Sequence, residues 1–370
     1  MPLRLPFRLI PRAQPSQRML LIAPLLAVTL TLVVGLGIFA ALGQNPLVAF
    51  RVFFIDPVSD INGVSELLLK ASPLCLIALG LAIGFRANIW NIGAEGQMYL
   101  GGIFATGLAI HFHENGGPWL LPAMILAGAV GGALWASITA FLRAQLRTNE
   151  ILVSLMLTYV ADLLVKYLVY GPWQDPQSNN FPFTVSFSDD ALFPVLMNWW
   201  DWLEGTRINL SLLITVVAVP LAWLFMDNSF VGFQLSVAGL APAAARYAGF
   251  SEKRMVWIAL LIGGAAAGLA GVTEVAGPIG QLNDRWTPGY GFTAIIVAAL
   301  GRLNAFGIVL AALLMALLYL GGEAAQISLQ LPKAISQVFQ GLLLMFLLGC
   351  DVLVNYRVAR RMPANALVNA

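Results

Sequence analysis

Two carboxylates and a set of amides interrupt long apolar runs of this chain. Glu95 lies in Gly84–Gly102, GFRANIWNIGAEGQMYLGG, together with Asn88, Trp90, Asn91 and Gln97. Glu274 lies between two glycine-rich patches of a later run, and Trp286 and Tyr290 follow it. Ionisable side chains are costly inside a bilayer and default to functional candidates. Asparagine and glutamine each present donors and acceptors, and the aromatic rings can stack on a planar ligand. The set suits a neutral, hydrogen-bonding solute, and these residues are the candidates for a translocation pathway. For Glu95 and Glu274, a satisfied structural hydrogen bond within a helix bundle is an equally weighted alternative. Few acids are embedded and no relay of them is evident, which weighs against proton-coupled transport.

Other chemistries find little support. His111 and His113 are two residues apart, so one helix face cannot present both imidazoles, and with Glu114 they read as boundary residues rather than a metal site. No Ser/His/Asp arrangement is visible, so no catalytic residue is assigned. A phosphate-binding loop ends in Gly-Lys-Ser/Thr. The lysines are Lys70, Lys166, Lys253 and Lys333, and none follows a glycine. If ATP drives this protein, another chain binds it, and no cofactor is expected here. Asp162 and Lys166 are four apart and should neutralise each other, as should Glu66 and Lys70. Cys75 and Cys350 sit in apolar runs and read as core residues.

The elements that position these groups are membrane helices. Of 370 residues, 59% are hydrophobic and only 10% charged, too few charges to cover a soluble domain of this length. The net charge of +2 points to no nucleic-acid partner. Ten apolar runs predict spans: 19–42, 64–85, 92–111, 119–142, 151–170, 208–226, 255–276, 287–300, 306–320 and 334–354. Most approach the ~20 residues needed to cross a bilayer. The first is about twice as long as a signal-peptide core and is expected to be retained. The run at 287–300 is short and opens with Pro288 and Gly289, so it reads as tilted, broken or re-entrant.

Lysine and arginine set the orientation. With a cytoplasmic N-terminus, fourteen of the twenty basic residues fall inside, among them Arg4, Arg8, Arg86, Arg143, Arg147, Arg246, Arg302, Arg357 and Arg361. Only Arg51, Arg207, Arg285 and Lys333 fall outside. The expected class is an all-α polytopic membrane protein of about ten transmembrane helices with both termini cytoplasmic. Residues 1–18 form a basic cytoplasmic start, 19–355 one transmembrane domain, and 356–370 a cytoplasmic tail. The largest outer loop, Gly171–Arg207, carries Trp173, Trp199, Trp200 and Trp202 and reads mainly as an interfacial aromatic belt.

The largest inner loop spans 227–254. Ala241–Ala248 is alanine-rich, with Pro242 suited to a first turn and Gly249 to the stop. A short helix exposing Arg246 and Tyr247 fits a partner's groove, and an ordinary interfacial connector is the equal alternative. In the following run, Gly264 and Gly268 have the spacing that lets helices approach closely.

At this point the residues resemble a family. FRANIWNIGAEGQMYLGG at Phe85–Gly102 resembles the permease subunits of ABC importers for nucleosides and simple sugars, within the branched-chain amino acid and ribose permease family. RTNEILVSLMLTYVA at Arg147–Ala161, VAGLAPAAARYAGFS at Val237–Ser251 and GYGFTAIIVAALGRLNAFG at Gly289–Gly307 are similar to further family segments in order. The resemblance covers nearly everything after the first span.

It implies a permease in the plasma (inner) membrane of a bacterium, working with an ABC ATP-binding subunit that binds the ATP. It also implies a second permease chain, usually a different one, and an extracytoplasmic substrate-binding protein. By the same analogy, Ala241, Ala245, Arg246, Tyr247, Gly249 and Phe250 belong to an ATPase-coupling loop, and the chain contains an inverted internal repeat. The permease itself would catalyse no covalent chemistry. An ion-coupled secondary transporter of a small neutral solute is the alternative in a different class. A membrane-embedded transferase would need a metal-binding acidic pair or a nucleophile. Because Arg86 falls on the cytoplasmic side, Gly84–Gly102 starts near the inner face, and it reads as a gate or lining there rather than a selectivity site.

Overall fold

The computed structural model describes residues 7–12, 16–196 and 204–360. Arg4, Arg361 and the expected belt residues Trp199, Trp200 and Trp202 lie outside the described residues. A short strand, β1 (Phe7–Pro11), leads into α1 (Gln17–Ala41), α2 (Pro46–Phe54), α3 (Ile61–Arg86), α4 (Ala94–His111), α5 (Leu120–Leu146) and α6 (Glu150–Val169). Then follow α7 (Ser211–Trp223), α8 (Phe230–Leu240), α9 (Pro242–Tyr247), α10 (Glu252–Glu274), α11 (Tyr290–Leu300), α12 (Ala305–Leu329) and α13 (Ala334–Asn355), and β2 (Tyr356–Arg360) closes the order. The helix starts obey local chemistry. Asp60, Asn149, Ser229 and Ser251 each accept a backbone N–H of the first turn they precede, satisfying donors that have no partner within the helix.

Each of the ten expected spans contains a helix. Eight described helices are long and apolar enough to cross a membrane. The two exceptions are α4, which carries the polar stretch, and α11. With 11 residues, α11 rises about 16 Å, roughly half of a ~30 Å hydrocarbon core. Residues 280–289 ahead of it are not helical.

Strand β1 pairs antiparallel with β2, Phe7 opposite Arg360 and Pro11 opposite Tyr356. The ribbon adjoins α1 and α13, so residues 7–11 and 356–360 lie on one side and the crossings between them are even in number. Hence α4 and α11 cross together or not at all. Only ten crossings keep Arg143, Arg147 and Arg246 on the side of Arg12 and Arg357, as the distribution of positive charge requires. The chain therefore enters α11 through the non-helical segment, as a broken span.

The described chain gathers into two compact units, one of residues 1–55 with 321–370 and one of residues 56–320. The first is centred on phenylalanines: Phe339 lies 4.9 Å from Phe53 and 5.5 Å from Phe39, ring centroid to centroid. The second has α3 as its axis, buried almost without a break from Ala71 to Phe85. Against it pack α10 and α11, with α4 and α5 behind α10.

Glycines make the seam between α5 and α10. A Cβ on Gly268 would run into the Gly128 carbonyl oxygen, and one on Gly132 into that of Gly264. Helix α4 joins the same seam, because a Cβ on Gly101 would strike Gly268. Backbones meet with no side chain between them, as the spacing of Gly264 and Gly268 predicts.

Candidate functional site

The site is built where the chain turns back after α3. Asn88 adopts a left-handed conformation (φ 56°), which asparagine tolerates better than most residues. The Ile89 N–H then returns to the Gly84 carbonyl at 3.0 Å. The chain climbs without helix through 87–93 and restarts at Ala94. Gly93 and Gly96 let this restart press on α6: a Cβ on either would meet Ser154 or Thr158 at 2.8 Å. The Ile92 N–H donates to Ser154 Oγ at 3.2 Å.

Three of the candidate pathway residues converge here. Asn91 Nδ2 donates to Gln97 Oε1 at 2.8 Å, and Gln97 Nε2 donates back to Asn91 Oδ1 at 3.1 Å. The same Asn91 oxygen accepts the Gly93 N–H. Both amides are buried, so the pair braces the first turn of α4 at a point where bare backbone would otherwise face an apolar interior. Glu95, also buried, points across to the broken span. Its Oε1 accepts the Thr287 hydroxyl at 2.8 Å, and its Oε2 accepts the Gly291 N–H at 2.5 Å. Thr287 Oγ1 in turn accepts the N–H groups of Gly289 and Tyr290.

This is a helix cap supplied by another helix. The first N–H groups of α11 have no partner within it, and the positive end of its dipole faces the carboxylate. Gly291 permits the approach, since a Cβ there would strike the Glu95 backbone nitrogen. Gly289, at φ 94°, makes the turn into α11. Tyr290 is buried with its ring edge-on to Tyr319, 5.4 Å between centroids. Tyr319 OH and Thr293 Oγ1 share a hydrogen bond of 2.7 Å. Trp286 is buried against Tyr99, and its indole N–H has no hydrogen-bond partner among the described residues.

The opposite end of α11 is tied to the same stretch of chain. Leu303, in left-handed conformation just past that helix, offers its carbonyl to Arg86 Nε and Nη2 at 3.1 and 2.8 Å. A carboxylate at the start and a guanidinium at the finish both match the dipole of α11. The two lie only nine positions apart in sequence, at either end of the 87–93 climb.

The remaining candidates lie elsewhere. Trp90 is 40% exposed, donates to Asn88 Oδ1 at 3.0 Å and lies on Phe85. Asn88 and Trp90 therefore form a surface pair near the inner end of α3. Glu274 is buried in the last turn of α10, just before a π-helical turn at Val275–Ile279 that contains Pro278. Asp162 and Lys166 form the expected pair at 2.7 Å. Glu66 bonds to Arg207 at 2.7 Å.

In the inner loop, α9 begins with Pro242 and stops two residues before Gly249 (φ 79°), whose following residue closes the turn through Phe250 N–H to Ala245 O. Ala245 is buried, whereas Arg246 is exposed and Tyr247 is 97% exposed. Phe250 packs edge-on against Phe230 and Phe233 of α8, a helix that the sequence analysis leaves unassigned. Beside α9 is a cavity of about 260 Å³ lined by Arg143, Arg147, Arg246, Glu252 and Lys253.

Apolar crossings around two helix starts, those of α4 and α11, that meet inside the bundle define a multi-pass membrane protein. A family profile described as the permease component of branched-chain amino acid transport systems matches residues 63–348. The chain is 38% identical over 339 residues to the glucose ABC transporter permease protein TsgB13 of Haloferax volcanii, covering 90% of this chain and 89% of that one. It is 30% identical to the nucleoside ABC transporter permease protein NupB of Lactococcus lactis (81% and 83% covered). It is 29% identical to the guanosine ABC transporter permease protein NupP of Bacillus subtilis (88% and 92%). No solved structure matches. The chain belongs to this family of ABC transporter permease components.

Proposed function

We propose that this chain forms the translocation path for a small neutral ring solute, a nucleoside or simple sugar, in an importer of the bacterial plasma membrane. The observation that carries the reading is the Glu95–Gly291 junction, where the starts of α4 and α11, each preceded by non-helical backbone, meet inside the bundle. Interrupted helices leave backbone groups and polar side chains at membrane depth, which is tolerated where protein buries them or a solute path passes. Asn88, Trp90, Asn91, Glu95, Gln97, Glu274 and Tyr290 remain the pathway candidates. The solute classes are those of the relatives, named as glucose, nucleoside and guanosine permeases.

The energy source is a separate ATP-binding subunit, which docks on Ala241, Ala245, Arg246, Tyr247, Gly249 and Phe250. The short, exposed α9 and the basic cavity beside it support that assignment. A second permease chain and an extracytoplasmic binding protein complete the assembly, and the permease has no ATPase site of its own. The test is reconstitution of the importer in proteoliposomes, with purine nucleosides, pyrimidine nucleosides, pentoses and glucose offered in turn. ATP-dependent uptake of one class is expected. Uptake by this chain alone under an ion gradient would sink the reading and favour a secondary transporter.

A further inference from the structure

Arg86 does more than mark the cytoplasmic side. Its guanidinium meets three backbone or side-chain acceptors from two distant parts of the chain. Nη1 bonds to the Met226 carbonyl at 3.1 Å and to Asp227 Oδ1 at 2.5 Å, while Nε and Nη2 take the Leu303 carbonyl. Met226 and Asp227 lie in a π-helical turn, Leu224–Asn228, at the mouth of the inner loop. The side chain is only 20% exposed. A planar fork of five donors can serve such a set, and a single ammonium cannot.

A second contact joins the same parts. A Cβ on Gly239 of α8 would strike the Arg86 carbonyl oxygen, so the backbone of α8 rests on the end of α3. Helix α9 follows two residues later. The loop proposed to dock the ATP-binding subunit thus bears on Arg86 from two directions. From Arg86 the chain runs through 87–93 to Glu95, and Arg86 and Glu95 hold the two ends of α11.

We infer that Arg86 is the positioning residue that couples the inner loop to the broken helix α11. Displacement of α8 and α9 reaches α11 through the Arg86 side chain, with the Gly239 backbone contact beside it, and α11 moves with the 87–93 segment because its two ends are tied to the residues that flank that segment. The inference rests on the importer reading for its purpose but not for its geometry.

Two measurements test it. The first uses the full importer in proteoliposomes and counts solute taken up per ATP hydrolysed, for wild type, Arg86→Gln, Arg86→Lys and Asp227→Asn. Arg86→Gln should lower the ratio by about tenfold, within the usual range of coupling between sites, while hydrolysis continues. Arg86→Lys should fail to rescue it, and Asp227→Asn, which keeps the Leu303 bonds, should give a smaller loss. The second is hydrogen exchange on the permease alone in nanodiscs. Arg86→Gln should speed exchange in residues 224–232 and in 300–305, and Asp227→Asn in 224–232 only.

Uptake and hydrolysis falling in equal proportion, or unchanged exchange at 300–305 in Arg86→Gln, would overturn the inference. If the wild type shows no ATP-dependent uptake, the importer reading fails, and the exchange measurement still decides whether Arg86 links the two segments. If Arg86→Gln does not fold, Arg86→Lys decides: unchanged exchange at 300–305 together with an unchanged ratio would overturn it.

Discussion

Gly291→Ala tests the helix junction with a single methyl group. In an unconstrained helix this change stabilises by up to ~1 kcal/mol, because alanine is the better helix former. At Gly291 the added Cβ would lie 2.5 Å from Glu95 Cα and 2.8 Å from the Ala94 carbonyl carbon. Both neighbours are backbone and cannot swing aside. Ordinary contact begins near 3.4 Å, so α11 must withdraw by roughly 1 Å. Withdrawal along the Gly291–Glu95 bond would stretch it from 2.5 Å to ~3.5 Å, outside hydrogen-bonding range. Overpacking costs about 1–3 kcal/mol, and loss of a bond to a charged group about 1.5–3 kcal/mol. Subtracting the helical gain leaves a net destabilisation of about 3 kcal/mol.

The control is Gly341→Ala in α13, where a Cβ would meet nothing within 4 Å. Unfolding of the purified permease in mild detergent, followed by thermal denaturation, should show Gly291→Ala clearly weakened. Gly341→Ala should be unchanged or up to ~1 kcal/mol stronger. Uptake should be lost in the first and kept in the second. If Gly291→Ala matches the control in both assays, α4 and α11 do not meet backbone to backbone and the junction is misassigned.

Three further outcomes are expected. Asn91→Leu strips Gln97 of its partner and should destabilise by about 1–3 kcal/mol, with uptake falling further than the yield of assembled complex; normal uptake would remove Asn91 from the pathway. Arg246→Glu should weaken co-purification with the ATP-binding subunit, more so at low salt than at high salt, while membrane insertion stays normal; unchanged docking and uptake would count against the coupling assignment. Single cysteines at Arg12 and Arg357 should both react with an impermeant thiol reagent only from the cytoplasmic side, and outside labelling of either would break the ten-crossing topology.

The helices were legible because a bilayer demands long apolar runs, and the sequence supplies them with little ambiguity. The shortening of α11 was legible too, since Pro288 and Gly289 spoil a helix start at 287. Helix α8 was not, because FVGFQLSVAGL has only Gln234 and Ser236 among its apolar residues, is too short to span and has no polar face that would betray its period. Within the site, sequence could nominate Glu95 but not its partners. Thr287 and Gly291 lie 192 and 196 residues away, and nothing local in either segment encodes that meeting. Arg86 counted only as a topological charge, because an arginine near an inner membrane face is common and its acceptors here are mostly backbone carbonyls, invisible in any sequence pattern. The pairing of Asn91 with Gln97 could have been suspected from their spacing across a glycine-marked helix start.

The ribbon of β1 and β2 has a practical consequence. Phe7 faces Arg360 across one strand spacing, about 5 Å, so the first and last described residues are neighbours. A few flexible residues would join Phe7 to Arg360, and new ends could be cut in an exposed outer turn such as 176–180. Such a circular permutant should keep every crossing and reverse none, which makes the order of helices in the gene separable from their order in the membrane.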